Sequence, residues 1–163
     1  MAISDDLAQI AVQERTLAFD LFREHEAWNL GCRLRDTAAA ANHPIVIEIR
    51  RFGQPLFFTA LSGSTPDNVE WARRKANTVA RFHRSSYGMG LELQQKNVTL
   101  LDRFGLTLAD YAAHGGGFPL SVSGVGVIGS VTVSGLPQRQ DHEFVVEMLC
   151  AELAKDYTAL KLP

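Results

Sequence analysis

Ile45-Val46-Ile47-Glu48-Ile49 and Leu56-Phe57-Phe58-Thr59-Ala60-Leu61 are two short apolar runs separated by Arg50-Arg51-Phe52-Gly53-Gln54-Pro55. β-Branched and aromatic residues fill both runs, and Gly53 and Pro55 sit between them, so the pattern predicts a β-hairpin. Phe118 to Val133 repeats the theme. It is rich in Val, Ser, Gly and Ile, it alternates at Val131-Thr132-Val133-Ser134, and Gly135-Leu136-Pro137 ends it. Two glycine-bent hairpins with few long crossovers predict an antiparallel sheet, because parallel neighbours need long connections. Helices must then cover that sheet, which makes the class α+β.

The helices follow from apolar spacing. Ser4 is placed to cap a first helix whose opening turn carries Asp5 and Asp6. Leu17-Ala18-Phe19 reads as a short strand. Ala27, Leu30, Gly31, Leu34, Ala38 and Ala41 recur at helical spacing until Asn42-His43-Pro44 stops them. Thr65 as N-cap and Pro66 at the first position begin a helix that runs to about Arg84. Ser85-Ser86 interrupts it, and a shorter helical piece reaches Gln95. A further short helix is expected around Leu108 to Ala113. Gly115-Gly116-Gly117 reads as flexible punctuation, and Gln138 to Leu160 as one long closing helix. The expected order is α-β-α-β-β-α-(α)-β-β-α, in a single domain over residues 1–163.

Composition narrows the class. The chain has 163 residues, 46% hydrophobic and 21% charged, enough for one globular core without disulfides or metal. Sixteen basic residues nearly balance 18 acidic ones, for a formal net charge of -2, whereas a general nucleic-acid binder is far more basic. No nucleic-acid partner is expected. Cys32 and Cys150 are too far apart for a metal knuckle and read as small buried hydrophobes in a reducing compartment. The N-terminus lacks the basic and apolar regions of a secretory signal, and no apolar run approaches a membrane span. The expectation is a cytoplasmic protein that engages no membrane.

Gly124-Val125-Gly126-Val127-Ile128-Gly129 matches G-x-G-x-x-G by letter. A dinucleotide site needs a helix after the motif to present its N-terminus to the pyrophosphate. Here Ser130-Val131-Thr132-Val133 continues as strand, so the match is rejected. No histidine pair has the spacing of H-E-x-x-H, no C-x-x-C-H is present, and Ser134-Gly135-Leu136-Pro137 is no nucleophile elbow.

The Pro66–Arg84 helix carries a charge out of place. With about 100° between residues, Val69, Ala72, Ala76, Val79 and Ala80 form an apolar arc that Trp71 and Phe82 widen. Arg73, Arg74, Asn77, Arg81 and Arg84 fall opposite. Lys75 projects inside the arc, and His83 falls near its centre. A buried lysine is unfavourable unless paired. Two readings stand: Lys75 lines a pocket and meets an anionic ligand group, or it snorkels or pairs with a carboxylate such as Glu48. His83 is either a ligand or a satisfied core residue. His114, beside the triple glycine, is a candidate axial ligand for iron. Asp141, before His142, reads as a partner of the helix dipole.

Two stretches carry a resemblance. One is Glu70-Trp71-Ala72-Arg73-Arg74-Lys75-Ala76-Asn77-Thr78-Val79. The other runs from Gly116-Gly117-Phe118-Pro119-Leu120 through Ile128-Gly129-Ser130-Val131-Thr132-Val133-Ser134-Gly135 to Gln140-Asp141. Together they resemble the haem-degrading domain family, which includes extracellular haem-binding proteins, glycolate-operon accessory proteins and C-terminal domains of some corrinoid adenosyltransferases. The Ile45 to Phe57 hairpin fits too, and Ser85-Ser86-Tyr87 is similar to a small intracellular branch. The resemblance implies a five-stranded antiparallel sheet with helices packed on it, and a homo-oligomer. It also implies that Lys75 faces Gly116 and Gly117, with the Ser134-Gly135 turn nearby. Where many relatives carry Asp in an Asp-x-x-Gly turn, this chain has Arg50.

Three functions follow as expectations. The first is an oligomeric binder of a small anionic ligand, haem included, with Trp71, Lys75, Phe82, His83, His114, Gly116, Gly117, Phe118, Ser134 and Gly135 around it. The second is an oligomeric module that docks a protein partner. The third is an enzyme that uses Lys75 as a base or Schiff-base amine on a small carbonyl or carboxylate substrate.

Overall fold

The computed structural model describes residues 2–163. Among the described residues, seven helices pack around one five-stranded sheet. The order along the chain is α1 (Ile3–Thr16), β1 (Ala18–Phe19), α2 (Glu24–Ala40), β2 (Val46–Arg51), β3 (Gln54–Ala60) and α3 (Pro66–Phe82). It continues with α4 (Ser86–Lys96), α5 (Leu100–Phe104), β4 (Gly117–Val122), β5 (Gly126–Ser134), α6 (Gln138–Glu152) and α7 (Tyr157–Leu160). Among the described residues, no helix is long and apolar enough to cross a membrane.

The strand order is β1-β4-β5-β2-β3. The two predicted hairpins are β2–β3 and β4–β5, and antiparallel pairing of β2 with β5 joins them. One pair departs from the antiparallel expectation: β1 runs parallel to β4, with Ala18 opposite Ser121. The sheet is therefore mixed and mostly antiparallel. Parallel pairing is available because α2 and everything after it separate β1 from β4 in the chain.

The two faces of the sheet differ in chemistry. On one, Ile47, Ile49, Val131, Val133, Phe118 and Leu120 form the main core with Leu30, Leu34 and Ala38 of α2 and Phe144, Val145 and Leu149 of α6. Helix α2 comes so close that a Cβ at Gly31 would lie 2.3 Å from the Phe57 ring. Cross-strand register puts Glu48 beside Thr132 and Val46 beside Ser134 on the opposite face. Gly117 pairs with Thr132, and a Cβ there would meet Val79 and the Lys75 carbonyl oxygen, so α3 lies on this second face. Its contact residues are small, Ala72, Ala76 and Val79, and the strands beneath them present buried Glu48, Ser130, Thr132 and Ser134. Between α3 and the sheet the interior is therefore polar, and a lysine there meets hydrogen-bond partners rather than hydrocarbon.

Several boundaries move from their expected places. Helix α1 starts one residue before Ser4, with Ala2 as N-cap and no capping side chain. Thr65 opens α3 as expected, its N–H donating to Asn68 Oδ1 at 2.8 Å. The short helix expected at 108–113 lies at α5 instead, where Thr99 Oγ1 accepts from the Asp102 N–H at 3.1 Å. The predicted long C-terminal helix is two helices, broken near Ala154, which takes a left-handed φ of 52°. Ala80, assigned to the apolar arc, is exposed. The turn between β2 and β3 is only Phe52-Gly53, tighter than the six-residue segment expected.

Candidate functional site

Helix α3 delivers Lys75 into the polar layer, where its side chain is 4% exposed. The ammonium donates to Asp141 Oδ2 at 3.0 Å and to the Val133 carbonyl oxygen at 3.2 Å. Asp141 is 1% exposed and projects from the first turns of α6. It also accepts from the Leu136 N–H at 3.0 Å and, more distantly, from the Gly135 N–H at 3.4 Å. The sequence expectation of Glu48 as the Lys75 partner is corrected: Glu48 pairs with Arg50 at 2.7 Å, two residues along the same face of β2. Asp141, read from sequence as a dipole partner, is the buried counter-ion.

Burial pulls the Lys75 amine below its ordinary range, and the Asp141 charge opposes that pull. Burial pushes the Asp141 carboxyl upward, opposed by Lys75 and by the two backbone N–H groups. Both directions make it easier to move the shared proton from amine to carboxylate.

The segment 115–117 closes over this pair. Gly116 has φ +132°, and a Cβ there would lie 2.3 Å from the Val133 oxygen and 2.8 Å from Lys75 Nζ. Only glycine allows the backbone this close to the ammonium. The run is packed and buried rather than flexible: Ser86 Oγ donates to the His114 carbonyl at 2.5 Å and accepts from the Gly117 N–H at 2.9 Å. The implied proximity of Lys75 to Gly116 and Gly117 is thus present as geometry.

A cleft of about 240 Å³ opens beside the pair, lined by Asn68, Trp71, Lys75, His114, Ser134, Gly135, Leu136, Gln138 and Asp141. Five of the residues named from sequence line it: Trp71, Lys75, His114, Ser134 and Gly135. One wall is a stack in which the Arg74 guanidinium lies 4.2 Å over the Trp71 ring and Trp71 meets His114 edge-on at 5.0 Å. Burial and the neighbouring charges of Lys75 and Arg74 hold the His114 imidazole below its ordinary range. Helix α6 begins at the cleft with Pro137 as N-cap and no capping side chain.

The other named residues do not join the cleft. Phe82 packs half-buried against Phe104, ring centroids 4.7 Å apart. His83 is the exposed left-handed C-cap of α3 and stacks on Phe52 at 5.9 Å. The helical wheel placed both in the apolar arc, but at the end of α3 these side chains pack on Phe104 and on Phe52 of the β2–β3 turn. Phe118 is 1% exposed in the main core on the opposite face. Sequence reasoning missed Asn68, Leu136, Gln138 and the pairing role of Asp141. The one available signal was Asp141 following the Ser134-Gly135 turn closely. Among the described residues, no group of three or more His, Cys, Asp or Glu could hold a metal ion.

A mostly antiparallel five-stranded sheet, with a lysine helix on one face and a glycine turn over its amine, defines a small α+β domain class. The chain belongs to the HbpS-like haem-degrading protein family, whose model matches residues 22–150. A UPF0303 protein of Burkholderia thailandensis is 60% identical over 162 residues, covering 99% of this chain and 98% of that one. The crystal structure of Ybr137w protein superposes with a TM-score of 0.82 at 30% identity, covering 89% of this chain and 86% of that one. A structure described as a PduOC:haem complex superposes with a TM-score of 0.67 at 20% identity, covering 80% of this chain and 94% of that one, a likeness of fold.

Proposed function

We propose that the protein binds a small carboxylate in the Lys75–Asp141 cleft. The observation that carries this reading is a buried ammonium–carboxylate pair at 3.0 Å lining an open cleft rather than a sealed core. Lys75 has three donors and uses two of them on protein oxygens. The third is left for a ligand oxygen. The uncapped start of α6 adds backbone N–H groups and the positive end of its dipole, both of which favour an anion. The cleft is smaller than pockets that bury a drug-sized ligand, about 300 Å³ upward, so it suits a compact acid. The test is calorimetric titration of the whole chain with acetate, glycolate and pyruvate. Saturable binding that Lys75→Met removes supports the reading, and equal heats for wild type and variant refute it.

Haem is the second reading, favoured by exposed His114 standing against Trp71 at the cleft mouth. In that reading His114 ligates the iron outside the cleft and a propionate reaches toward Lys75. Titration with haemin checks it: a saturable Soret shift lost in His114→Ala supports it, and an unshifted Soret band rejects it.

The assembly we propose is a homo-oligomer. Strand β3 is a free edge of the sheet, and Phe58 on it and Trp28 on α2 are large exposed hydrophobics, 49% and 61% accessible. Light scattering across concentrations reads the mass, and a monomer at every concentration rules the assembly out.

A further inference from the structure

We infer that the ligand site has two lobes and that the carboxylate it takes carries a slim apolar arm; this rests on the reading of the first cleft as a carboxylate site. A second cleft of about 290 Å³ adjoins the first, and His114 and Gln138 line both. These two side chains form the ridge between the lobes. Both are exposed, and the Gln138 side-chain oxygen accepts from the Gly115 N–H at 3.2 Å.

The lobes differ in chemistry. The first ends on the Lys75–Asp141 pair. Among the described residues, no Asp, Glu, Lys or Arg lines the second. Leu91 and Leu93, both buried, line it with the half-buried Val98 and Ala113. Its polar residues are Gln94, Gln138 and His114, all exposed, and Tyr87, whose phenol ring is buried in the wall. His114 is held toward its neutral form, so the ridge adds little charge to an apolar arm crossing it. Gly90 lets helix α4 pass close against the Ala113 carbonyl, since a Cβ there would lie 2.1 Å from that oxygen. A charged head beside Lys75 and an uncharged chain over the ridge match a straight-chain monocarboxylate. A wide, flat macrocycle does not match two lobes divided by side chains.

The experiment is calorimetric titration of the whole chain with acetate, butyrate, hexanoate and octanoate, in wild type, Lys75→Met and Val98→Trp. The expected result is affinity rising roughly threefold or more with each methylene buried, then levelling once the second lobe is full. Lys75→Met weakens every acid, and Val98→Trp flattens the dependence on length. Equal affinities across the series in wild type, with binding still dependent on Lys75, overturn the second lobe and leave the first cleft's reading standing. Binding that ignores Lys75 at every length overturns both. Methyl NMR of wild type gives a readout that needs no variant to fold. Leu91, Leu93 and Val98 methyl signals shift with octanoate and not with acetate, and identical spectra for the two acids refute the proposal.

Discussion

Lys75 Nζ stands 3.0 Å from Asp141 Oδ2, and the backbone of Gly116 passes directly against the amine. The pair joins α3 to α6 at the C-terminal end of β5, so it serves packing and site geometry together. Removing one partner of a buried ion pair costs about 3–5 kcal/mol, because the other charge is stranded. Asp141→Leu should therefore destabilise more than Lys75→Met, since it also strands the Gly135 and Leu136 N–H groups. The double variant Lys75→Met/Asp141→Leu should lose less than the sum of the two single losses, as neither charge is left unpaired. Urea unfolding of the four proteins reads this out; additive losses would contradict the pairing.

Gly116 is the position where the turn tolerates no side chain. Gly116→Ala combines a φ of +132° with a Cβ contact of 2.3 Å to the Val133 oxygen, so it should cost about 2 kcal/mol or more. Gly53→Ala is the control, because a Cβ there meets nothing within 4 Å and its φ is not left-handed. Equal thermal midpoints for the two variants would count against a crowded turn.

His142 gives the stability a pH dependence. Its Nε2 lies 2.8 Å from Gln13 Oε1, while Gln13 Nε2 donates to the Leu160 carbonyl at 2.8 Å. Gln13 therefore accepts, and His142 carries its hydrogen on Nε2. The ring is 1% exposed, and burial drives its pKa down to about 3. A folded-state value below the unfolded one means that the unfolded chain takes the proton first. The stabilisation is full above the unfolded histidine value, about 6.5, and is lost as pH falls toward 3. In that window the slope from this group approaches 1.4 kcal/mol, roughly, per pH unit. His142→Gln should flatten the slope between pH 6 and 4 in denaturant titrations, and an unchanged slope would sink the assignment.

The hairpins were legible in the sequence because alternation and turn residues act within a few positions. The same holds for α2 and α3, whose caps and stops are local. Lys75 was legible as an anomaly, since a helical wheel reveals a charge in an apolar arc. Its partner was not, because Asp141 is 66 residues away and only the fold brings α6 to α3. Phe82 and His83 misled for a related reason: the wheel assumes one surface along the whole helix, whereas the end of α3 turns to Phe104 and Phe52. The parallel β1–β4 pair was hidden because a two-residue strand has no periodicity to read.

Thr78 tests whether the cleft's wall is held from behind. Residues 106–113 lie along the outer side of α3. Asn77 Nδ2 donates to the Asp110 carbonyl at 2.8 Å, Thr78 Oγ1 to the Ala112 carbonyl at 3.0 Å, and the Ala112 N–H to the Arg74 carbonyl at 3.2 Å. This strap fixes the approach to His114 and so the ridge beside Trp71. Thr78→Val keeps the shape and removes the hydroxyl, leaving the Ala112 oxygen without that donor. Global stability should fall by about 1 kcal/mol. Amide exchange should accelerate most at Ala112 and His114, because the strap loosens locally before the domain unfolds. Uniform acceleration across the sheet would mean that Thr78 acts only on the core, and the strap would then have no role in positioning His114.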